Sequence, residues 1–375
     1  MKILSSALPL SESVQRRRSL VSAALGIFRG WGYRDIAIPM LEHVEVRPEI
    51  LQIHDVNKTF RLVDAEGNLQ MLRSDVTPAV AKLFAPVLRD VPLPLRLCYA
   101  SRVVRSERAF ARRQIETYQI GVELLGAGTA VYDTEVILVA MQAMAGLGID
   151  DYQINVGNMA VVRRLLELTG LPKARRAEVR EAVVQRDPHA VADLLHRAGT
   201  RQNVADAIVA LTMLRGGPDQ LARIRSLLPH DGPLRDALAH LEAVVDTVRA
   251  VSGSDRLQIA LGEIEGPAYH TALVFRIVSE GIGRELGGGG RYDDVIGLYG
   301  RPAPAVGFSL RSDAVLEVLH PEGQRSQAAA ASYVVRVDSE RPTVGLLEAW
   351  RRRQEGLPAQ LLEKRAAPDG RRRDG

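Results

Sequence analysis

The chain has 375 residues, 46% of them hydrophobic and 25% charged. At roughly 150 residues per domain this allows two or three domains with a sizeable core, and the composition excludes a disordered chain or a stapled mini-protein. The formal charge of +4, from 49 basic and 45 acidic side chains, is too small to signal a nucleic-acid partner, and the single cysteine, Cys98, rules out an intramolecular disulfide or a cysteine-rich metal site.

The N-terminal stretch places Arg16–Arg18 after its apolar piece, the reverse of a secretory signal, and no apolar run reaches the ~20 residues of a bilayer span. A cytoplasmic chain without a membrane helix is expected. Residues 11–30 carry Val14, Leu20, Val21, Ala24, Leu25 and Phe28 at helical spacing, with Ser11 or Ser13 as N-cap and Gly30 and Gly32 as stop. Tyr33–Met40 alternates like a strand, and Pro39 marks its edge or end. Segments 60–73, 95–105 and 114–125 read as further strands and 133–145 as a helix. An α+β domain with an antiparallel sheet flanked by helices accommodates them.

From about 158 to 250, Ala, Leu, Val and Arg recur at helical spacing, broken at Gly170–Pro172, Gly216–Pro218 and His230–Pro233. This predicts a helical insertion, because strand patterns return at Leu257–Leu261 and Thr271–Val278. After His320 the run 324–332 reads as a linker. The roughly 50 residues beyond it hold a strand candidate, Tyr333–Val337, and a helix candidate, Val344–Arg353, and are too few for a robust extra domain. The expected division is therefore 1–320 as the main domain and 321–375 as a linker with a short, partly disordered C-terminal segment. The arginine triplets at 351–353 and 371–373 read as solvated charge.

No P-loop, GxSxG, HExxH or His/Cys cluster is present, so neither a metal nor a cofactor is called for. The chemistry lies in polar residues on strands. Leu72–Pro78 puts Asp75 and Thr77 at a strand-to-helix junction, where Asp75 alone reads as a helix N-cap. Arg102, Arg105, Arg108, Arg112 and Arg113 cluster between two strands, which suits either an exposed hairpin or an anion site. Gln119, Gly121 and Glu123 share one strand face, with Ile120, Val122 and Leu124 behind them, so that face is half exposed or lines a polar pocket. Gly287–Gly290 suits a flexible turn or a close backbone approach.

Taken together, Gly32-Tyr33…Pro39, Leu72-Arg73…Thr77, Arg105-Ser-Glu-Arg108, Gln119–Gly126, Gly289-Gly-Arg-Tyr-Asp293 and Pro304-Ala-Val-Gly-Phe308 resemble histidyl-tRNA synthetase and its paralogues, from about residue 10 to about 320. The resemblance implies a class II synthetase core and a homodimer through the segment ending near Pro39. Three departures qualify it. Ala314 stands where the synthetases carry an ATP-gripping arginine, with Arg311 three residues earlier. Glu265-Gly-Pro-Ala-Tyr-His270 replaces Arg-Gly-Leu-Asp-Tyr-Tyr. The segment after the linker is also short for an anticodon-binding domain. Losing one arginine that faces a phosphoryl transition state removes on the order of 3–4 kcal/mol, and a carboxylate in its place adds repulsion.

With these departures the chain resembles the ATP phosphoribosyltransferase regulatory subunits. That likeness implies a non-catalytic partner of the short catalytic subunit in the first step of histidine biosynthesis, in a hetero-octamer, with feedback by L-histidine. tRNA binding is not expected. The alternative is a truncated synthetase-like enzyme that still activates histidine with ATP. By the same resemblance the histidine site comprises Asp75, Thr77, Arg105, Gln119, Glu123, Tyr269, His270 and Tyr292. Acidic and hydroxyl groups would take the ammonium, Arg105 or a neighbour the carboxylate, and Glu123 with Gln119 the imidazole N–H groups. His270 stands where the synthetases have a second tyrosine.

Overall fold

A computed structural model describes residues 11–44, 50, 59–88, 90–105, 115–262, 269–279, 283–319, 333–337, 348, 351–352 and 359–363. The chain divides into two compact units, Met1–Leu319 and His320–Gly375.

In the first unit, helix α1 (Ser11–Gly30) leads through Gly32, whose φ of +83° suits the turn that ends it, into β1 (Arg34–Asp35) and β2 (Leu41–His43). The strand expected over Tyr33–Met40 thus shortens to two residues. Past Asp35 a single backbone bond, Ile36 N–H to Cys98 O, continues the pairing, and the carbonyls of Ile38 and Pro39 are taken by the buried Arg73 side chain instead of a strand. β3 (Arg61–Val63) and β4 (Leu69–Leu72) form a hairpin that β2 completes as a small three-stranded sheet, so the 60–73 segment is two strands joined by a turn that Asp64 stabilises. α2 (Val76–Phe84) follows.

The main sheet gathers β5 (Leu95–Val104), β6 (Glu116–Leu125), β7 (Gln153–Asn158), β8 (Arg215–Gly216), β9 (Leu257–Ala260), β10 (Leu273–Ser279), β11 (Arg284–Arg291) and β12 (Ala305–Arg311) together with β1. Its order is β1-β5-β6-β12-β11-β10-β7-β9-β8. The six strands from β5 to β7 are antiparallel as expected, but β1/β5 and β7/β9 pair in parallel, which makes the sheet mixed. Both parallel pairs follow from long crossovers between their strands.

The remaining helices are α3 (Ala130–Gly146), α4 (Met159–Leu168), α5 (Lys173–Val184), α6 (Pro188–Arg197), α7 (Gln202–Met213), α8 (Gln220–Leu227), α9 (Gly232–Ser252), α10 (Asp293–Gly297) and α11 (Ser312–Leu319). α4 to α9 are the run expected from helical periodicity, and Asn158, Asp187 and Asp231 cap three of them through side-chain oxygens. These helices do not form a separate core. Their buried Val, Leu and Ile side chains join those of α1, α3 and the even positions of β6, Ile120, Val122 and Leu124, in one cluster. A smaller cluster on the opposite face joins Val76 and Val80 of α2, Leu97 and Tyr99 of β5, Leu125, Tyr292 and the short α10. The candidate site described below lies on this second side.

In the second unit β13 (Tyr333–Val337) pairs in parallel with β14 (Ala359–Glu363). The expected linker lies outside the described residues, as does most of the helix expected at 344–353, of which 348 and 351–352 are helical.

Candidate functional site

The register of the sheet lays out the site. One cross-strand row runs Leu97, Glu123, Gly307, Gly290, Val274 and Gly157. The next runs Tyr99, Gly121, Ser309, Gly288, Arg276 and Asn155, and a third starts Ser101, Gln119 and Arg311. Glycines recur in the first two rows, so the face is a trough between taller side chains. A cavity of about 170 Å³ lies in it.

Seven of the eight residues expected at the site, Asp75, Thr77, Arg105, Gln119, Tyr269, His270 and Tyr292, line this cavity. Asp75 is the N-cap of α2, as its position suggested, with its Oδ1 accepting from Thr77 N–H at 3.4 Å. Its other oxygen accepts from the Tyr269 hydroxyl at 2.7 Å, so capping and site formation are one arrangement. Tyr269 packs edge-on against both Tyr292, at 6.2 Å between ring centres, and His270, at 5.2 Å.

Glu123, the eighth, sits one layer behind. It is 1% exposed, accepts from Thr77 Oγ1 at 2.8 Å and from the Tyr292 hydroxyl, and reaches the cavity through those two groups. Burial pushes its carboxyl up to about 8, against the opposing pull of those hydrogen bonds. Gly307 makes room for it, since a Cβ there would meet Glu123 Oε2 at 2.1 Å. Gln119 lies four residues along the same face, about 13 Å away in an extended strand. Its Oε1 is buried with no hydrogen-bond partner among the described residues, and so is the Nδ1 of His270, whose imidazole burial holds down near 4 and therefore neutral.

Gly287–Gly290 is not a turn. It is the interior of β11, flanked by β10 and β12, and a Cβ on Gly289 would lie 2.0 Å from the Gly307 carbonyl oxygen. Of the arginine cluster, Arg102 pairs with Glu116 at 2.8 Å as on an exposed hairpin, while Arg105 donates from Nε to Ser74 O at 2.8 Å and lines the cavity. Arg108, Arg112 and Arg113 lie outside the described residues, as do Glu265–Ala268. Ala314 is buried in the main core on α11, whereas Arg311 lines the cavity. Arg276 and Glu285, 3.7 Å apart, and Tyr99, Asn155 and Ser309 also line it and were missed in the sequence. The available signal was polarity at period two on predicted strands, which Tyr99 and Arg276 carried.

The geometry of Arg291-Tyr292-Asp293 is set from beneath. Arg291, 3% exposed, binds the fully buried Asp133 of α3 at 2.6 Å, the Ala127 carbonyl at 2.9 Å and Asp293 at 3.0 Å, and Asp133 also bonds His240 of α9. Tyr292 is thereby held between two fixed neighbours.

Residues 8–315 match the family model described as histidyl-tRNA synthetase. The ATP phosphoribosyltransferase regulatory subunit of Geobacter sulfurreducens is 34% identical over 87% of this chain and 75% of its own length, and that of Gloeobacter violaceus 38% identical over 80% and 72%. The chain belongs to the family of ATP phosphoribosyltransferase regulatory subunits. A crystal structure from Bacillus halodurans, described as an ATP phosphoribosyltransferase regulatory subunit/histidyl-tRNA synthetase, superposes with a TM-score of 0.85 at 26% identity over 99% of this chain and 94% of that one. Histidyl-tRNA synthetase from Nostoc sp. PCC 7120 shares the fold, with a TM-score of 0.74 at 20% identity over 94% and 84%. The regulatory-subunit family thus retains a class II synthetase core, here with a polar cavity on the face that α2 and α10 flank.

Proposed function

We propose that this regulatory subunit binds L-histidine in the cavity and transmits its presence to the short catalytic subunit of ATP phosphoribosyltransferase, without chemistry of its own. The observation that carries the reading is the Glu123 end of the cavity. There a buried Glu123 is bonded to Tyr292 and Thr77, beside Asp75, Tyr269 and a neutral His270. An imidazole presents one N–H and one lone pair, and this wall offers hydroxyls that donate or accept, backed by an acid that is itself uncharged near neutral pH. Glu123 acts through Tyr292 as a positioning group at the imidazole end. Gln119, about 13 Å along the strand, belongs to the ammonium end and not, as the resemblance implied, with Glu123 at the imidazole end. Unpaired polar atoms left by a wrong side chain make such a wall selective.

The same proposal includes a homodimer through the class II core, a hetero-octamer with the catalytic chain, and a cytoplasmic setting. Feedback requires that histidine favour one quaternary state, since equal affinity for both shifts nothing. The test is phosphoribosyl-ATP formation by a short-form catalytic subunit titrated with this chain, with and without histidine. Activation that histidine reverses is expected, and Glu123→Ala should abolish the reversal while co-purification with the catalytic chain persists. Absence of activation by folded chain overturns the reading, and histidine-dependent ATP–pyrophosphate exchange would put a synthetase-like enzyme in its place.

A further inference from the structure

Three arginines line the cavity on ordered strands or their ends, and two of them are engaged. Arg105 is tied through Nε to Ser74 O, and Arg276 faces Glu285 at 3.7 Å. Arg311 is exposed at the end of β12 and has no hydrogen-bond or ion-pair partner among the described residues. Across the strand pair it stands directly opposite Gln119, which is 8% exposed and whose buried Oε1 has no hydrogen-bond partner there. A lone acceptor and a lone guanidinium side by side match the ammonium and carboxylate that share the α-carbon of an amino acid.

Resting on the reading of the cavity as a histidine site, we propose that Arg311 is the specificity residue for the ligand's carboxylate. The sheet supports this by position. The Gln119–Arg311 row lies about 13 Å along the strands from the Glu123–Gly307 row, with Gly121, Ser309 and Gly288 as the low floor between them. Side chains reaching in from both ends narrow that span. Arg311 therefore terminates the trough at the end opposite Tyr292, and it selects a zwitterion over an amine of the same shape through a two-pronged contact. Ala314, on the core side of α11, takes no part.

Calorimetric titration of the full chain with L-histidine and with histamine, which keeps the imidazole and ammonium but lacks the carboxylate, tests the assignment. Loss of a charge-assisted contact predicts that Arg311→Met weakens histidine on the order of 10- to 100-fold and leaves histamine within about twofold. Arg311→Lys, which keeps the charge without the fork, should recover part of the loss. Equal weakening of both ligands, or unchanged histidine binding in Arg311→Met when the unsubstituted chain binds it, overturns the role of Arg311 alone. An unsubstituted chain that binds neither ligand overturns the effector reading and this assignment with it.

Discussion

Burial pushes the Glu123 carboxyl from 4.5 up to about 8, so near neutral pH it is a protonated acid that still accepts from Thr77 and Tyr292. A carboxyl whose pKa rises on folding stabilises the fold fully below its unfolded value and loses that contribution as pH climbs through its folded value. Glu123→Gln keeps the shape and neutrality without the titration. Between pH 5 and pH 9 the unsubstituted chain should therefore lose up to roughly 4 kcal/mol more stability than Glu123→Gln. Urea unfolding at both pH values checks this, and parallel pH profiles would show that Glu123 does not titrate in this window. The shared face of Gln119, Gly121 and Glu123 was legible from period two alone. That Glu123 stands behind Tyr292 was not, because depth beneath a residue 169 positions away in sequence is set by packing.

At the scale of elements, β11 runs Gly287–Gly290 between two strands, and the reason is steric. Gly289→Ala would put a methyl group 2.0 Å from the Gly307 carbonyl and 2.5 Å from Phe308 Cβ, where neither backbone nor core yields. We expect it to cost at least about 3 kcal/mol, at the upper end of overpacking losses, whereas Gly30→Ala, with nothing within 4 Å, should stay within about 0.5 kcal/mol. Thermal melts of the two variants decide it, and equal melting temperatures would refute the steric account. Helices α1, α3 and α4 to α9 were readable because 3.6-residue periodicity and cap residues are local. β11 was not, since four glycines carry no pattern. Nor was the end of β1: the carbonyls that would have extended it go to Arg73, a partner more than thirty residues on.

Over the whole first unit, the strand order and the parallel pairs depend on which segments meet at long range, and the residues held no sign of these beyond the family resemblance. The buried Asp133–Arg291 pair with His240 is one such meeting, and it joins α3, β11 and α9 directly beneath Tyr292. Asp133→Asn leaves the buried guanidinium with Asp293 as its one remaining carboxylate among the described residues and should cost about 2–4 kcal/mol, read as a lowered urea midpoint together with weaker histidine binding. A lowered midpoint with unchanged binding would separate this pair from the site.

The helical stretch between β7 and β9 has a consequence for anyone treating the chain as a kit of parts. Its last helix supplies His240 to Asp133, its residues 215–216 form the outermost strand of the main sheet, and its apolar side chains fill the same interior as α1 and α3. Such a stretch is no cassette: cutting it out and rejoining β7 to β9 would open the interior to water, and transplanting it would strip its apolar side chains of their partners on α1 and α3.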